Sequence, residues 1–201
     1  LSANTIVAKF VFLLLVLIGF MVLLNLGLYL VAYFTRPDRT PYVVKGMING
    51  NDSKTLRQDP KSSDSVTIHR SNNQDKGLEC TWCVWLKRSD MNTIEGYEHI
   101  FNKGESNGEP GEIGNSPGVY FDNSNNSIMD DSSGNSNTIK IIMETVSSGK
   151  NYEENYDTII VDNLPFKKWF HLAIRIENKI MDIYINGAIA KRHTFSNIAN
   201  Q

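Results

Sequence analysis

The chain of 201 residues carries only two cysteines, Cys80 and Cys83, too few for the disulfide framework on which small secreted domains rely. It has no surplus of positive charge either: 20 Lys and Arg face 22 Asp and Glu, a formal net charge of −2, with no run of like charge. That balance argues against the basic footprint of a nucleic-acid-binding protein, so no nucleic-acid partner is expected. Beyond residue 35 no amphipathic helical repeat separates the apolar runs, which points away from a helical bundle. The length leaves room for one globular domain of ~100 to 200 residues and a small addition.

What is present is very unevenly placed. From Phe10 to Phe34 the chain reads FVFLLLVLIGFMVLLNLGLYLVAYF, with Asn25, Tyr29 and Tyr33 as its only polar side chains. At ~1.5 Å of rise per residue such a run spans ~37 Å as a helix, enough to cross a hydrocarbon core of ~30 Å with some tilt. A cleaved signal peptide would have a shorter apolar region followed by a small-residue cleavage site. The run is therefore read as a membrane anchor, represented along its length by Phe10, Leu17, Leu24, Tyr29, Tyr33 and Phe34, with the lipid bilayer as its partner. Tyr29, Tyr33 and Phe34 sit where an interfacial aromatic belt lies, and Arg36-Pro37 ends the helix near Thr35. Arg36, Arg39 and Lys45 follow the helix and only Lys9 precedes it; the positive-inside rule puts the C-terminal domain on the cytosolic side. Asn25 is read as a single tolerated amide, with a helix–helix contact as the alternative.

Residues 1–9 are an N-terminal flank, 10–34 the transmembrane helix, and 35–77 a polar, turn-rich linker in which Tyr42 to Ile48 and Val66 to Ile68 have strand character. From residue 78 to 201 the pattern has period two. Leu78, Cys80, Trp82, Val84 and Leu86 fall on one face of a strand, Thr81, Cys83 and Trp85 on the other. Further strands are predicted at Tyr97 to Lys103, Gly118 to Phe121, Thr138 to Thr145, Thr158 to Asp162, Trp169 to Glu177, Lys179 to Asn186 and Ala188 to Phe195. Asn186-Gly187 is a strong short hairpin signal, so the C-terminal third reads as an antiparallel meander. Many short alternating strands define an all-β antiparallel sandwich or jelly roll preceded by one transmembrane helix. Segments 105–118 and 122–137, rich in Gly, Asn, Ser and Asp, are surface loops where recognition is first sought.

The strand GLECTWCVWLK, the segment YEHIFNKG followed by PGVYF, and above all LPFKKWFHLAIRIENKIMDIYINGAIAKRHTF carry a likeness. The chain resembles the concanavalin A-like lectin/glucanase superfamily in its laminin-G-like jelly-roll form, and more narrowly the membrane-anchored versions encoded by large DNA viruses of algae and protists. The resemblance covers roughly residues 41–201 and includes PYVVKGMINGNDSKTLRQDP of the linker. Its fold signature comprises Trp82, Trp85, Trp169, Tyr184, Asn186 and Gly187, with a buried Trp and an Asn-Gly turn in the block from Trp169 to Gly187. Cys80 and Cys83 depart from the family, which has an aromatic or aliphatic residue and a small polar one there. The family also adds a final closing strand beyond the position of Gln201, so residues are expected to be missing at the C-terminus, and Leu1 without an initiator Met raises the same expectation for the other end.

The chemistry-bearing residues are sparse. Cys80-x-x-Cys83 lies within a strand, where i and i+3 point to opposite faces, and no second pair exists for zinc; both cysteines are read as buried and structural. Glycosidases of the superfamily need paired carboxylates across the scissile bond. Glu95 with Glu98, and Glu144 with Asp182, are the tempting acids, but none forms an array on one strand face, so no catalytic residue and no enzymatic activity are expected. The resemblance implies that loop carboxylates can hold calcium, for which Asp122, Asp130 and Asp131 are the candidates, with solvated loop acids as the competing reading; no other cofactor is expected. His69, His99, His171 and His193 are isolated and lack metal-ligand spacing. Asn51-Asp52-Ser53 and Asn125-Asn126-Ser127 match the glycosylation sequon, which matters only for a luminal domain.

Two functions follow as expectations. In the first, the resemblance implies a minor structural component of a large DNA virus particle, in the internal membrane with its β-domain on the capsid-facing, cytosol-derived side, linking membrane to capsid or other virion proteins. In the second, the domain is a membrane-anchored, lectin-like module that binds glycan.

Overall fold

A computed structural model describes residues 5–36, 38–71, 77–89, 96–104, 114–123, 137–146 and 155–199. The chain divides into two compact units, Leu1–Met47 with Leu56–His69, and Ile48–Thr55 with Arg70–Gln201. The segment between helix and sandwich is thus shared between the two.

In the first unit, α1 runs from Ile6 to Phe34, longer than the apolar run by one turn at its start, and none of its residues is buried. An apolar surface on every side of a helix is stable only in a medium as apolar as itself, and the helix is long and apolar enough to cross a membrane. The Thr35 hydroxyl donates to the Val31 carbonyl at 2.7 Å, closing the last turn where the sequence places the exit. Asn25 turns its amide back on its own helix, Nδ2 donating to the Met21 carbonyl at 2.8 Å. That bond satisfies one N–H of the amide within its own helix,.

The linker forms turns rather than strands. Neither Tyr42 to Ile48 nor Val66 to Ile68 is extended in a ladder. Asn49 Oδ1 accepts from the Asn51 amide and Asp59 Oδ1 from the Lys61 amide, so these side chains satisfy locally the backbone groups that a strand would offer to a partner.

Among the described residues the second unit holds nine strands: β1 Leu78–Leu86, β2 Tyr97–Asn102, β3 Gly118–Asp122, β4 Thr138–Val146, β5 Asn155–Val161, β6 Phe170–Asn178, β7 Ile180–Ile185, β8 Ala188–Thr194 and β9 Ile198–Ala199. They make two antiparallel sheets. Sheet A has the order β1-β6-β7-β8; sheet B has β2-β3-β4-β5, with β9 also on β4. Strands β3 and β9 share one side of β4: β3 pairs with 138–142 and β9 with 145–146. The two-residue β9 is the one strand that the sequence pattern does not announce.

Between the sheets lies the apolar core. Phe170, Leu172, Ile174 and Ile176 of β6 meet Met181 and Ile183 of β7 and Val119, Ile139, Ile141, Met143 and Ile159 of sheet B. Trp169 is not part of it. It is 51 % exposed, and Phe170, fully buried, fills the place that the resemblance gives to a tryptophan. The alternation explains the correction, because Trp169 has the parity of His171 and Arg175, on the outer face. Asn186 and Gly187, both at positive φ, turn β7 into β8 as an Asn-Gly hairpin should,.

Candidate functional site

Each open side of the sandwich is tied by polar groups. On one side β8 meets β5: Lys191 Nζ donates to the Ile160 carbonyl at 2.8 Å, and His193 Nε2 lies 2.8 Å from Asp157 Oδ2. On the other, β1 meets β2 through the Trp82 and Phe101 rings, 5.9 Å apart, and through Arg88 and Glu98 at 3.1 Å.

Arg88 is the centre of a polar cluster. Its side chain is 4 % exposed. Nη1 donates to Asn137 Oδ1 at 2.9 Å and Nη2 to Asn123 Oδ1, while the guanidinium lies over the Phe121 ring at 4.7 Å. Asn123 Nδ2 in turn donates to Glu98 Oε1 at 2.9 Å, and Asn137 Nδ2 to the Pro165 carbonyl at 3.2 Å. Backbone bonds from Lys167 to Arg88, from Asn123 to Gly96 and from Leu164 to Asn137 draw the connections of both sheets to this end. One guanidinium thus organises the ends of β1, β2, β3 and β4 and the β5–β6 connection.

That placement bears on calcium. Asp122 is buried at the end of β3, while Asp130 and Asp131 lie outside the described residues. Side-chain oxygens of Glu98, Asn123 and Asn137 converge on the guanidinium, which supplies the positive charge there. Among the described residues no group of three or more His, Cys, Asp and Glu has the geometry to hold a metal ion.

Of the two candidate carboxylate pairs, only Glu144 with Asp182 lies wholly among the described residues, and these two do not come together. Glu95 lies outside the described residues, and Glu98 is held by Arg88 and Asn123. Glu144 and Asp182 stand on the outer faces of sheets B and A, on opposite sides of a core ~10 Å thick, so they cannot flank one glycosidic bond. Asp182 has a different role. It is 1 % exposed, and accepts from Arg192 Nε at 2.6 Å and Nη2 at 2.9 Å and from Arg175 Nη1 at 3.5 Å. The Arg192 hydrogen bonds hold its carboxyl below the usual carboxylate range, against the smaller opposing effect of burial. That burial is shallow because the covering arginines are themselves 59 % and 43 % exposed.

The cysteines point to opposite faces, as their spacing requires, and both are free. Cys80 is half-buried facing β2, where burial pushes its thiol up and the positive charge of Lys103 partly offsets that. Burial pushes the Lys103 ammonium down in return. Cys83 is exposed on the outer face of sheet A, which corrects the expectation of two buried cysteines. The histidines are scattered: His99 Nε2 contacts Asn102 Oδ1 at 3.0 Å, His171 packs on Trp85 at 5.3 Å between ring centres, and His193 holds Asp157.

No protein-family profile, no curated protein and no solved structure matches this chain. The outer face of sheet A presents Trp85, 63 % exposed, and Trp169. Cys83, Ala173, Tyr184 and Ile189 follow one another in a row across β1, β6, β7 and β8. The sequon at Asn51 lies in an exposed turn of the linker, and that at Asn125 falls outside the described residues.

Proposed function

We propose that this chain is a non-enzymatic, single-pass membrane protein whose β-sandwich acts as a docking module at the membrane surface. The observation that carries the reading is the pairing of an apolar helix without a buried residue with a two-sheet domain in which Glu98 and Asp182 are committed to arginine partners. In line with the resemblance, the protein is a minor structural component of a large DNA virus particle. It ties internal membrane to capsid, with the jelly-roll domain on the capsid-facing side. Protease treatment of intact particles or membranes, followed by cross-linking and mass spectrometry, tests this. Protection of the sandwich with cross-links to a neighbouring structural protein supports the tether; free digestion leaving the anchor behind overturns it.

A second reading, a lectin-like glycan-binding module, is favoured by the exposed indoles of Trp85 and Trp169, since aromatic faces on a sheet suit the apolar faces of sugar rings. Screening the intact protein against a glycan library separates the two. Binding abolished by Trp85→Ala and Trp169→Ala supports the lectin, and absence of binding to any glycan removes it.

A further inference from the structure

The outer edge of β1 differs from the other edges of the sandwich. Sheet A ends on β1, which pairs with β6 through nine consecutive residues without a bulge and contains neither Pro nor Gly. Protein edges are usually protected by bulges, charge or closure. Here β8 carries a bulge together with Lys191 and Arg192, β2 carries a bulge, and β5 is tied to β8.

The direction of the β1 backbone groups follows from two bonds. Lys167 N donates to the Arg88 carbonyl, so even-numbered residues face β6; Glu79 N donates instead to Ser71 Oγ at 2.7 Å, on the other side. Thr81, Cys83 and Trp85 therefore turn their N–H and C=O groups outward, and among the described residues no strand receives them. The inner row of the same strand points the same way. Cys80, Trp82, Val84 and Leu86 are only partly buried, whereas Phe170, Leu172, Ile174 and Ile176 beside them are at most 1 % exposed.

We infer that this edge pairs with the β1 edge of a second copy of the chain, antiparallel and centred on Cys83, so that two four-stranded sheets become one. A two-fold axis at Cys83 sets Thr81 opposite Trp85 of the second copy and Cys83 opposite Cys83. Each of these pairs exchanges two backbone bonds, and only an extended backbone meets that requirement. The same register sets exposed Glu79 opposite exposed Lys87 of the second copy at both ends of the ladder. On the core side, Trp82 comes beside Val84 and Cys80 beside Leu86, covering the half-exposed inner row.

The test uses the full chain in detergent or lipid nanodiscs, with the mass of the assembly followed against protein concentration and amide exchange read at Thr81, Cys83 and Trp85. A concentration-dependent dimer is expected, whose formation slows exchange at those amides and whose Cys83 thiols join through a short bis-maleimide in a Cys80→Ser background. Glu79→Lys and Lys87→Glu each raise the dissociation constant roughly tenfold, and the double reversal restores it; far-UV circular dichroism of each single variant shows that it folds. A protein that stays monomeric, a dimer indifferent to both reversals, or amides already protected in the monomer by another segment would each overturn the inference.

Discussion

Asp182 and Arg88 are two charged residues, each within reach of an opposite charge, with different consequences. Asp182 is covered by side chains that remain in water, so its pairs are stabilising without a large desolvation cost. Its folded pKa lies below the unfolded value of ~3.9, so its contribution is complete above that pH and disappears as the pH falls through the folded value,. Asp182→Asn should therefore lower stability by about 1–2 kcal/mol at neutral pH and flatten the decline below about pH 4, both read from urea midpoints at a series of pH values. Arg88 is surrounded by groups that need it. Arg88→Met removes the cation beside Glu98 and the guanidinium bonds to Asn123 and Asn137, and should cost about 3–5 kcal/mol. Adding Glu98→Gln should return part of that loss, which denaturation of the single and double variants measures. Nothing in the sequence marks Arg88, a single Arg in the segment LKRSD, because its partners lie 10 to 49 residues away.

At the scale of elements, alternation locates strands well because a half-buried strand must place every second side chain in the core. Eight of the nine strands fall where the pattern puts them, with ends moved by up to three residues. Trp169 shows the same rule from the other side: its parity with His171 places it outside, and parity overrides the burial that the family likeness implies. Strand character alone fails at Tyr42 to Ile48 and Val66 to Ile68, since turn-forming Asn49 and Asp59 satisfy the backbone nearby. Some connections are decided by backbone space. Gly104, at φ 138°, would bring an added Cβ to 1.5 Å from the Gly114 carbonyl oxygen. Gly104→Ala should therefore destabilise the sandwich by at least about 2 kcal/mol, seen as a lower thermal midpoint, while Gly19→Ala in the open helix should leave the midpoint unchanged.

For the whole molecule, the medium surrounding α1 outweighs every other influence. Its exposed apolar surface in water would far exceed the patch that a soluble protein tolerates, and in hydrocarbon it carries no penalty. The intact protein should remain in the membrane pellet after alkaline carbonate extraction. Replacing Leu17 and Leu24 together with Arg should release a substantial fraction, since each guanidinium near the centre of the bilayer costs about 3 kcal/mol of insertion.

The sequence by itself determined the apolar helix, its end at Thr35, the strand positions and the Asn186-Gly187 turn, because each depends on residues close together in the chain. Tertiary structure alone decided that β1 pairs with β6 across more than eighty residues, that Arg88 gathers Glu98, Asn123 and Asn137 at one end of the sandwich, and that Glu144 and Asp182 face away from each other. These depend on which sheet a strand joins, and sheet membership is chosen by the packing of the whole core, for which period-two alternation carries no address.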